Sequence, residues 1–269
     1  MVCRLIALDV DGTLLNDDHM LTERTKHAVR SASEAGAVIV LCTGRGPDNS
    51  LPVMRELGID GHLIGHNGAI TVRTSDLTVE HQYPFETRQV EPMVRYCRER
   101  DIHYDLCTPF RLYIDRELEE PVRQMYRDYM IEPETTEDVL RLAELPVKMT
   151  MFADPATLDR LEDDWRGIEI PLRFIRSDDR FIDVMHPEAN KGNALKRLAE
   201  SMGINREHIM AIGNYYNDLE MIRFAGIGVA MGNAPEIVKR AADIVAPTNN
   251  EDGVSWALLR YGLHIRQPF

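Results

Sequence analysis

Asp9 and Asp11 follow the apolar run Leu5–Leu8 with a single residue between them. Residues i and i+2 of an extended chain face the same side, so these two carboxylates can lie close enough to repel. Such a pair stays ionised only where a cation or hydrogen-bond donors hold it. A nucleophilic carboxylate beside an acid/base partner is the chemistry this spacing suggests. A hard divalent cation with oxygen ligands, Mg²⁺ before others, would relieve the repulsion. Asp11-Gly12 is also an ordinary turn pair, so other parts of the chain have to decide between turn and site.

Three further stretches bear on that choice. In Thr43-Gly44-Arg45 a hydroxyl, a residue that lets backbone amides approach a phosphate, and a guanidinium fork stand in sequence. Thr43 can equally cap the helix that follows. Lys191 opens a helical pattern, where the helix dipole disfavours a cation, so a carboxylate or a bound phosphoryl group is expected beside it. In the stretch Gly213–Asp218, Asn214 follows a strand directly and Asn217 and Asp218 stand where a helix begins. They are ordinary capping types, and they are also oxygens within reach of a metal.

The elements predicted around these residues bring them together. Leu5–Leu8, Val38–Leu41, Leu63–Ile64, His208–Ile212, Ile227–Ala230 and Ile244–Val245 read as strands. Helical patterns over Thr22–Ala35, Leu51–Leu57, Lys191–Met202, Asn217–Ala225, Pro235–Ala242 and Val254–Tyr261 alternate with them. That rhythm predicts right-handed βαβ units and a mostly parallel, Rossmann-like sheet. Ligands bind outside the carboxyl ends of such strands, and Asp9/Asp11, Thr43–Arg45 and Gly213–Asp218 all fall there. Ala69–Val72 and Thr78–Tyr83 read as an appended hairpin. Between about Pro84 and Pro187 the pattern becomes mixed, with helices near Val90–Arg100, Glu119–Tyr129 and Pro155–Trp165 among short strands. The expected organisation is a core of residues 1–83 and 188–269 with an α+β cap domain, residues 84–187, inserted into it. On the cap strands Tyr104, Arg111 and Tyr113 are candidate contacts that the sequence does not rank, and aromatic residues on strands more often pack than recognise.

The totals limit the function classes. A net charge of −13 argues against a general polyanion binder such as a nucleic-acid coat, although a local pocket can still take a small anion. The cysteines Cys3, Cys42, Cys97 and Cys107 form no CxxC pair and no zinc spacing, which predicts reduced thiols. Cys42 borders the site, where incidental oxidation can reach it. No apolar segment is long enough to span a bilayer and no secretory core follows Met1. A cytoplasmic protein is expected, with no nucleic-acid or membrane partner and with no oligomeric state prescribed.

Taken together, "DVDGTL", "CTGR", "NKGNAL" and "GNYYNDLEM" resemble, in order, the four motifs of the haloacid dehalogenase superfamily of phosphohydrolases. The likeness is greatest to its Cof-type group with the class IIB cap, and "HNGA" at His66–Ala69 is similar to a recurring element of that group. The resemblance implies a phosphatase for a small phosphorylated metabolite, a sugar phosphate or similar, under a cap that closes over the site. It implies that Asp9 attacks phosphorus and that Asp11 protonates the leaving oxygen and then activates water. It further implies that Thr43 and Lys191 hold the phosphoryl group, with Gly44, Arg45 and Asn217 as further substrate contacts. Mg²⁺ would be held by Asp9, Asp11 through its carbonyl, Asn214 and Asp218. One position departs from the pattern, since the fourth motif usually begins Gly-Asp and here reads Gly213-Asn214. A weakened metal site leaning on Asp218 follows as an expectation. A phosphoryl transferase or phosphomutase, and a weakly active phosphometabolite-binding protein, stay open beside hydrolysis.

Overall fold

The computed structural model describes residues 3–128, 131–167 and 170–262. The chain divides into two compact units, Met1–His81 with Asn190–Phe269, and Gln82–Ala189. Along the first, β1 (Leu5–Leu8), α1 (Glu23–Glu34), β2 (Val38–Cys42), α2 (Pro47–Leu57), β3 (His62–Gly65), β4 (Ile70–Arg73) and β5 (Val79–Gln82) lead to the insertion. The second unit contains α3 (Thr87–Arg100), β6 (His103–Cys107), β7 (Leu112–Ile114), α4 (Glu120–Asp128), β8 (Glu134–Thr135), β9 (Lys148–Phe152), α5 (Pro155–Trp165), β10 (Arg173–Asp178) and β11 (Phe181–Met185). The chain then returns through α6 (Lys191–Ser201), β12 (Ile209–Gly213), α7 (Leu219–Phe224), β13 (Ile227–Ala230), α8 (Glu236–Ala241), β14 (Ile244–Val245) and α9 (Gly253–Ala257).

The first unit is built on one sheet in the order β14-β13-β12-β1-β2-β3-β4-β5. Its strands from β14 to β3 run parallel, and β4 turns back antiparallel on β3. The central strand β1 is buried along its whole length, as a parallel strand covered on both faces must be. On one face Leu5, Ala7, Val40 and Ile64 pack with Ala194, Leu195 and Leu198 of α6 and with Met221. Each fully buried leucine there contributes roughly 1.5–3 kcal/mol. In register, Leu8 stands between Leu41 and Ile212. The residues that follow these three therefore emerge side by side at one edge.

Local chemistry sets most boundaries. Thr22 caps α1, its hydroxyl accepting the Thr25 amide at 3.2 Å. Helix α2 starts at Pro47, earlier than the sequence pattern indicated, because proline suits a first turn and the polar Asp48 and Asn49 hide that turn from hydrophobic periodicity. The helix expected over Asn217–Ala225 is instead a 3₁₀ turn, Tyr216–Asp218, followed by α7. The last helix gives way after Ala257 to a π turn over Leu258–Gly262. The expected end of the 119–129 helix, Tyr129, lies outside the described residues. Among the described residues no helix is long and apolar enough to cross a membrane.

The second unit has its own sheet, β10-β11-β9-β6-β7-β8. One face carries Tyr104, Leu106, Met149, Met151, Ile182 and Val184 into a core with α3 and α5. Tyr104 is a packing residue whose hydroxyl donates to Asp115 at 2.7 Å. On the opposite face, successive strands place His103, Asp105, Thr150 and Asp183, all buried. The Tyr126 hydroxyl donates to Asp105 at 2.9 Å and meets the His103 ring at 2.7 Å.

These two titrating groups pull stability in opposite directions. Burial, with Arg116 nearby, lowers the His103 pKa to about 4. His103 therefore adds stability above about pH 6.5 that is lost as pH falls toward 4, because the unfolded chain binds the proton first. Burial raises Asp105 to about 6. Its charged form costs stability above that pH, and the cost fades as acid protonates it in the fold. Each effect is on the order of 3 kcal/mol over its window, so they nearly cancel. Asp105→Asn removes the offset. Its melting temperature should fall a few degrees further than the native protein's between about pH 7 and pH 5. Parallel melting curves against pH for the two proteins would contradict this.

Candidate active site

Asp9 continues β1 by donating its amide to the Ile212 carbonyl at 2.9 Å, and Thr43 continues β2 by donating to Ile64 at 2.9 Å. Gly213 ends β12 beside them. The parallel register thus delivers Asp9, Thr43 and Asn214 to one rim. Lys191 arrives from the first residue of α6, a helix fixed by Asn190, whose side chain accepts the Asn193 amide at 2.8 Å.

The centre of this rim is a buried charge triad. Lys191 Nζ donates to Asp9 Oδ1 at 2.7 Å and to Asp218 Oδ1 at 2.6 Å. Lys191 and Asp218 have no solvent exposure and Asp9 has 5%. An ammonium at a helix N-terminus is disfavoured by the dipole, and here two carboxylates compensate it. Burial works against the charged lysine, yet Asp218 and Asp9 hold its pKa above the ordinary lysine value. Burial and the neighbouring Asp218 push the Asp9 carboxyl up to about 7, against the pull of Lys191. Two acids and one ammonium leave a net negative charge, so the site as built favours a further cation or donor at Asp9.

Asp218 is also the organiser of its own loop. Its Oδ2 accepts the backbone amides of Asn214 and Tyr215 at 2.8 and 2.9 Å. A side chain at 213 could not coexist with it, since a Cβ there would lie 2.6 Å from Asp218 Cγ. Both oxygens of Asp218 are therefore engaged by Lys191 and by the loop. Asp218, expected from the sequence to carry more of the metal coordination than Asn214, is thus placed to position Lys191 and its own loop.

Asn214 points at Asp9. The terminal atom of its amide lies 3.0 Å from Asp9 Oδ2, 3.1 Å from the Asp11 carbonyl and 3.2 Å from Thr13 Oγ1. Gly12 makes room for it, with φ +73 and an ideal Cβ only 2.4 Å from the same amide group. Among the described residues no group of three or more His, Cys, Asp or Glu side chains is arranged to hold a metal. The groups gathered at Asp9 are instead a carboxylate oxygen, a peptide carbonyl and one end of the Asn214 amide. With the amide oxygen turned inward, this donor set would suit a small hard cation, which takes carboxylate, carbonyl and amide oxygens together.

Asp11 and Arg45 pair with each other. Arg45 donates through Nε and Nη2 to the two Asp11 oxygens at 2.8 and 2.5 Å. The expected phosphate fork thus already holds a carboxylate, at a more open part of the rim where Asp11 is 45% exposed. Thr43 is buried, and its hydroxyl accepts the Arg45 amide at 3.1 Å. Asn217 donates to Asn67 Oδ1 at 2.9 Å. Gly44 lies under the same Asn67 amide, where a Cβ would meet Oδ1 at 3.1 Å. Cys42 sits fully buried beneath the triad, and burial raises its thiol pKa, so the oxidation considered for it has neither access nor thiolate. All four cysteines are free.

Two residues of this rim had no role in the sequence reading. Asn67 adopts a left-handed φ of 54°, and its backbone amide donates to the Thr43 carbonyl at 2.9 Å. The stretch "HNGA" was its only signal. Thr13, buried beside Asn214, is hidden because it lies past the turn that Asp11-Gly12 announces.

Residues 6–258 match the haloacid dehalogenase-like hydrolase family. A 5-amino-6-(5-phospho-D-ribitylamino)uracil phosphatase of Bacillus subtilis is 30% identical over 260 residues, covering 97% of this chain and 96% of its own. A haloacid dehalogenase-like hydrolase from Bacteroides thetaiotaomicron superposes with a TM-score of 0.86 at 30% identity, covering 96% of this chain and 99% of that one. A sugar phosphatase of subclass IIB does so with a TM-score of 0.80 at 26% identity, covering 96% and 99%. Order of motifs, sheet topology and likeness over nearly the full length agree, and the chain belongs to the Cof-type branch of the haloacid dehalogenase-like hydrolases as a phosphatase.

Proposed function

We propose that the protein is a Mg²⁺-dependent phosphatase acting on a small phosphorylated metabolite, a sugar or polyol phosphate, through an aspartyl-phosphate on Asp9. The observation that carries this reading is the convergence of Asp9, Lys191 and Asp218 in a buried triad, with Asp11 on the same rim. The names of relatives that act on a ribityl phosphate and on sugar phosphates support the substrate class.

In this reading Asp9 is the nucleophile. Lys191 neutralises charge on Asp9 and on the incoming phosphoryl oxygens, the positioning and electrostatic work that phosphoryl transfer mainly needs. Asp218 keeps Lys191 charged and aimed. Asp11 protonates the leaving oxygen, and its freed carboxylate then takes a proton from the water that hydrolyses the intermediate. Arg45 sets the orientation of Asp11, and an arriving phosphate would compete for the same fork. Thr43, Gly44, Asn67 and Asn217 line the approach. Asp9, the Asp11 carbonyl and Asn214 would hold the Mg²⁺, whose contribution when bound is to neutralise phosphate charge. The expected cytoplasmic location and the absence of nucleic-acid and membrane partners belong to the same proposal.

The test is phosphate release from a panel of phosphorylated metabolites with and without Mg²⁺. Asp11→Asn should slow turnover about 10²–10⁴-fold while substrate half-saturation changes little. Native turnover in that variant would remove Asp11 from proton transfer. A phosphorylated acceptor in place of free phosphate would make the enzyme a transferase or mutase.

A further inference from the structure

The position of Asn214 has two chemically different solutions. Its terminal amide atom faces two acceptors, Asp9 Oδ2 at 3.0 Å and the Asp11 carbonyl at 3.1 Å. If that atom is oxygen, three oxygens converge and only a cation between them makes the arrangement favourable. If it is nitrogen, the –NH2 group has two hydrogens and gives one to each acceptor. Thr13 Oγ1, at 3.2 Å, donates to this atom when it is oxygen; when it is nitrogen, both hydrogens are already given and the hydroxyl turns its own hydrogen elsewhere. A half-turn about the last side-chain torsion, which is broad and roughly two-fold for asparagine, exchanges the two solutions; with the oxygen inward, the –NH2 at the other end faces only donors, a further cost the cation has to offset.

We propose that Asn214 is an internal substitute for the cation. Without metal its –NH2 bridges Asp9 and the Asp11 carbonyl, and when a divalent cation binds, the amide turns and presents Oδ1. The inference rests on the reading that Mg²⁺ binds beside Asp9. An aspartate at this position would have no hydrogen to give. The metal-free site would then gather Asp9, a second carboxylate and a carbonyl with only Lys191 to offset them. The asparagine therefore trades metal affinity for a site that stays assembled when empty. In the native protein an arriving cation has to displace two hydrogen bonds and gains no new negative ligand.

The experiment compares melting temperatures of the native protein, Asn214→Asp and Asn214→Leu at pH 8, in EDTA and in saturating MgCl2, with Mg²⁺ binding followed by calorimetry. In EDTA both variants should melt several degrees below the native protein. In MgCl2 Asn214→Asp should recover to the native level or above, with Mg²⁺ affinity roughly tenfold or more tighter than native. Asn214→Leu, with neither donor nor ligand oxygen, should stay low in both. An Asn214→Asp protein as stable as the native one in EDTA overturns the amide bridge, whatever Mg²⁺ then does. Failure of every protein to bind Mg²⁺ would instead remove the metal reading. The EDTA comparison would still decide the bridge.

Discussion

Asp9→Asn should abolish phosphate release while leaving the protein at least as stable as the native one in the absence of metal. The loss is expected at about 10³-fold or more, the scale on which removing one member of a concerted catalytic set is felt. The stability expectation comes from the charge count of the triad. Native Asp9 is buried, its carboxyl raised to about 7, and it shares Lys191 with Asp218. An amide of the same size removes the surplus negative charge, keeps an oxygen for Lys191, leaves the Lys191–Asp218 pair intact, and sets its –NH2 against Asn214, whose amide turns to accept it. Stability above about pH 7 should therefore rise in the variant, since the charged form of Asp9 is the costly one there. Phosphate-release assays and melting curves in EDTA above and below pH 7 check both halves. Turnover within tenfold of native would exclude Asp9 as the nucleophile.

Lys191→Met should be damaging to the fold as well as to activity. The methionine fills nearly the same volume but leaves Asp9 and Asp218 buried together without a cation. Removing one partner from a buried ion pair costs about 3–5 kcal/mol, and for a chain of this size each kcal/mol shifts the melting temperature by roughly 2–4 °C. A fall of about 10 °C is expected, with turnover reduced at least about 10²-fold. Adding Asp218→Asn should restore part of the stability and none of the activity, because it removes the repulsion without returning the ammonium. Such non-additivity is the signature of groups that share one network. A single Lys191→Met variant with native melting behaviour would mean that the ammonium is not what keeps the two acids in the interior.

The chemistry-bearing residues were visible in the sequence because each follows a strand that the alternation of apolar runs and helical patterns announces. Residue type and distance from a strand end are local properties, and a parallel sheet converts them into proximity. Asp9, Thr43 and Asn214 meet for that reason alone, through the register that aligns Leu8 with Leu41 and Ile212. Lys191 was legible through its unfavourable place at a helix start, which called for a compensating acid.

What only tertiary structure decided is how each polar atom is spent. Hydrogen-bond partners depend on side-chain directions and on main-chain atoms of residues far away in the chain, and residue spacing carries neither. Asp218 read as an oxygen within reach of a metal, and the short 3₁₀ turn also points its carboxylate at the Asn214 and Tyr215 amides and at Lys191. Arg45 read as a phosphate fork, and the turn after β2 sets that same fork on Asp11. Asn67 carried no assigned role until its left-handed backbone brought it over Gly44 and Asn217. Asn214 could be recognised as a departure from sequence alone. That its amide reaches two acceptors at once, one of them a peptide carbonyl, follows from the packing of Gly12 against it.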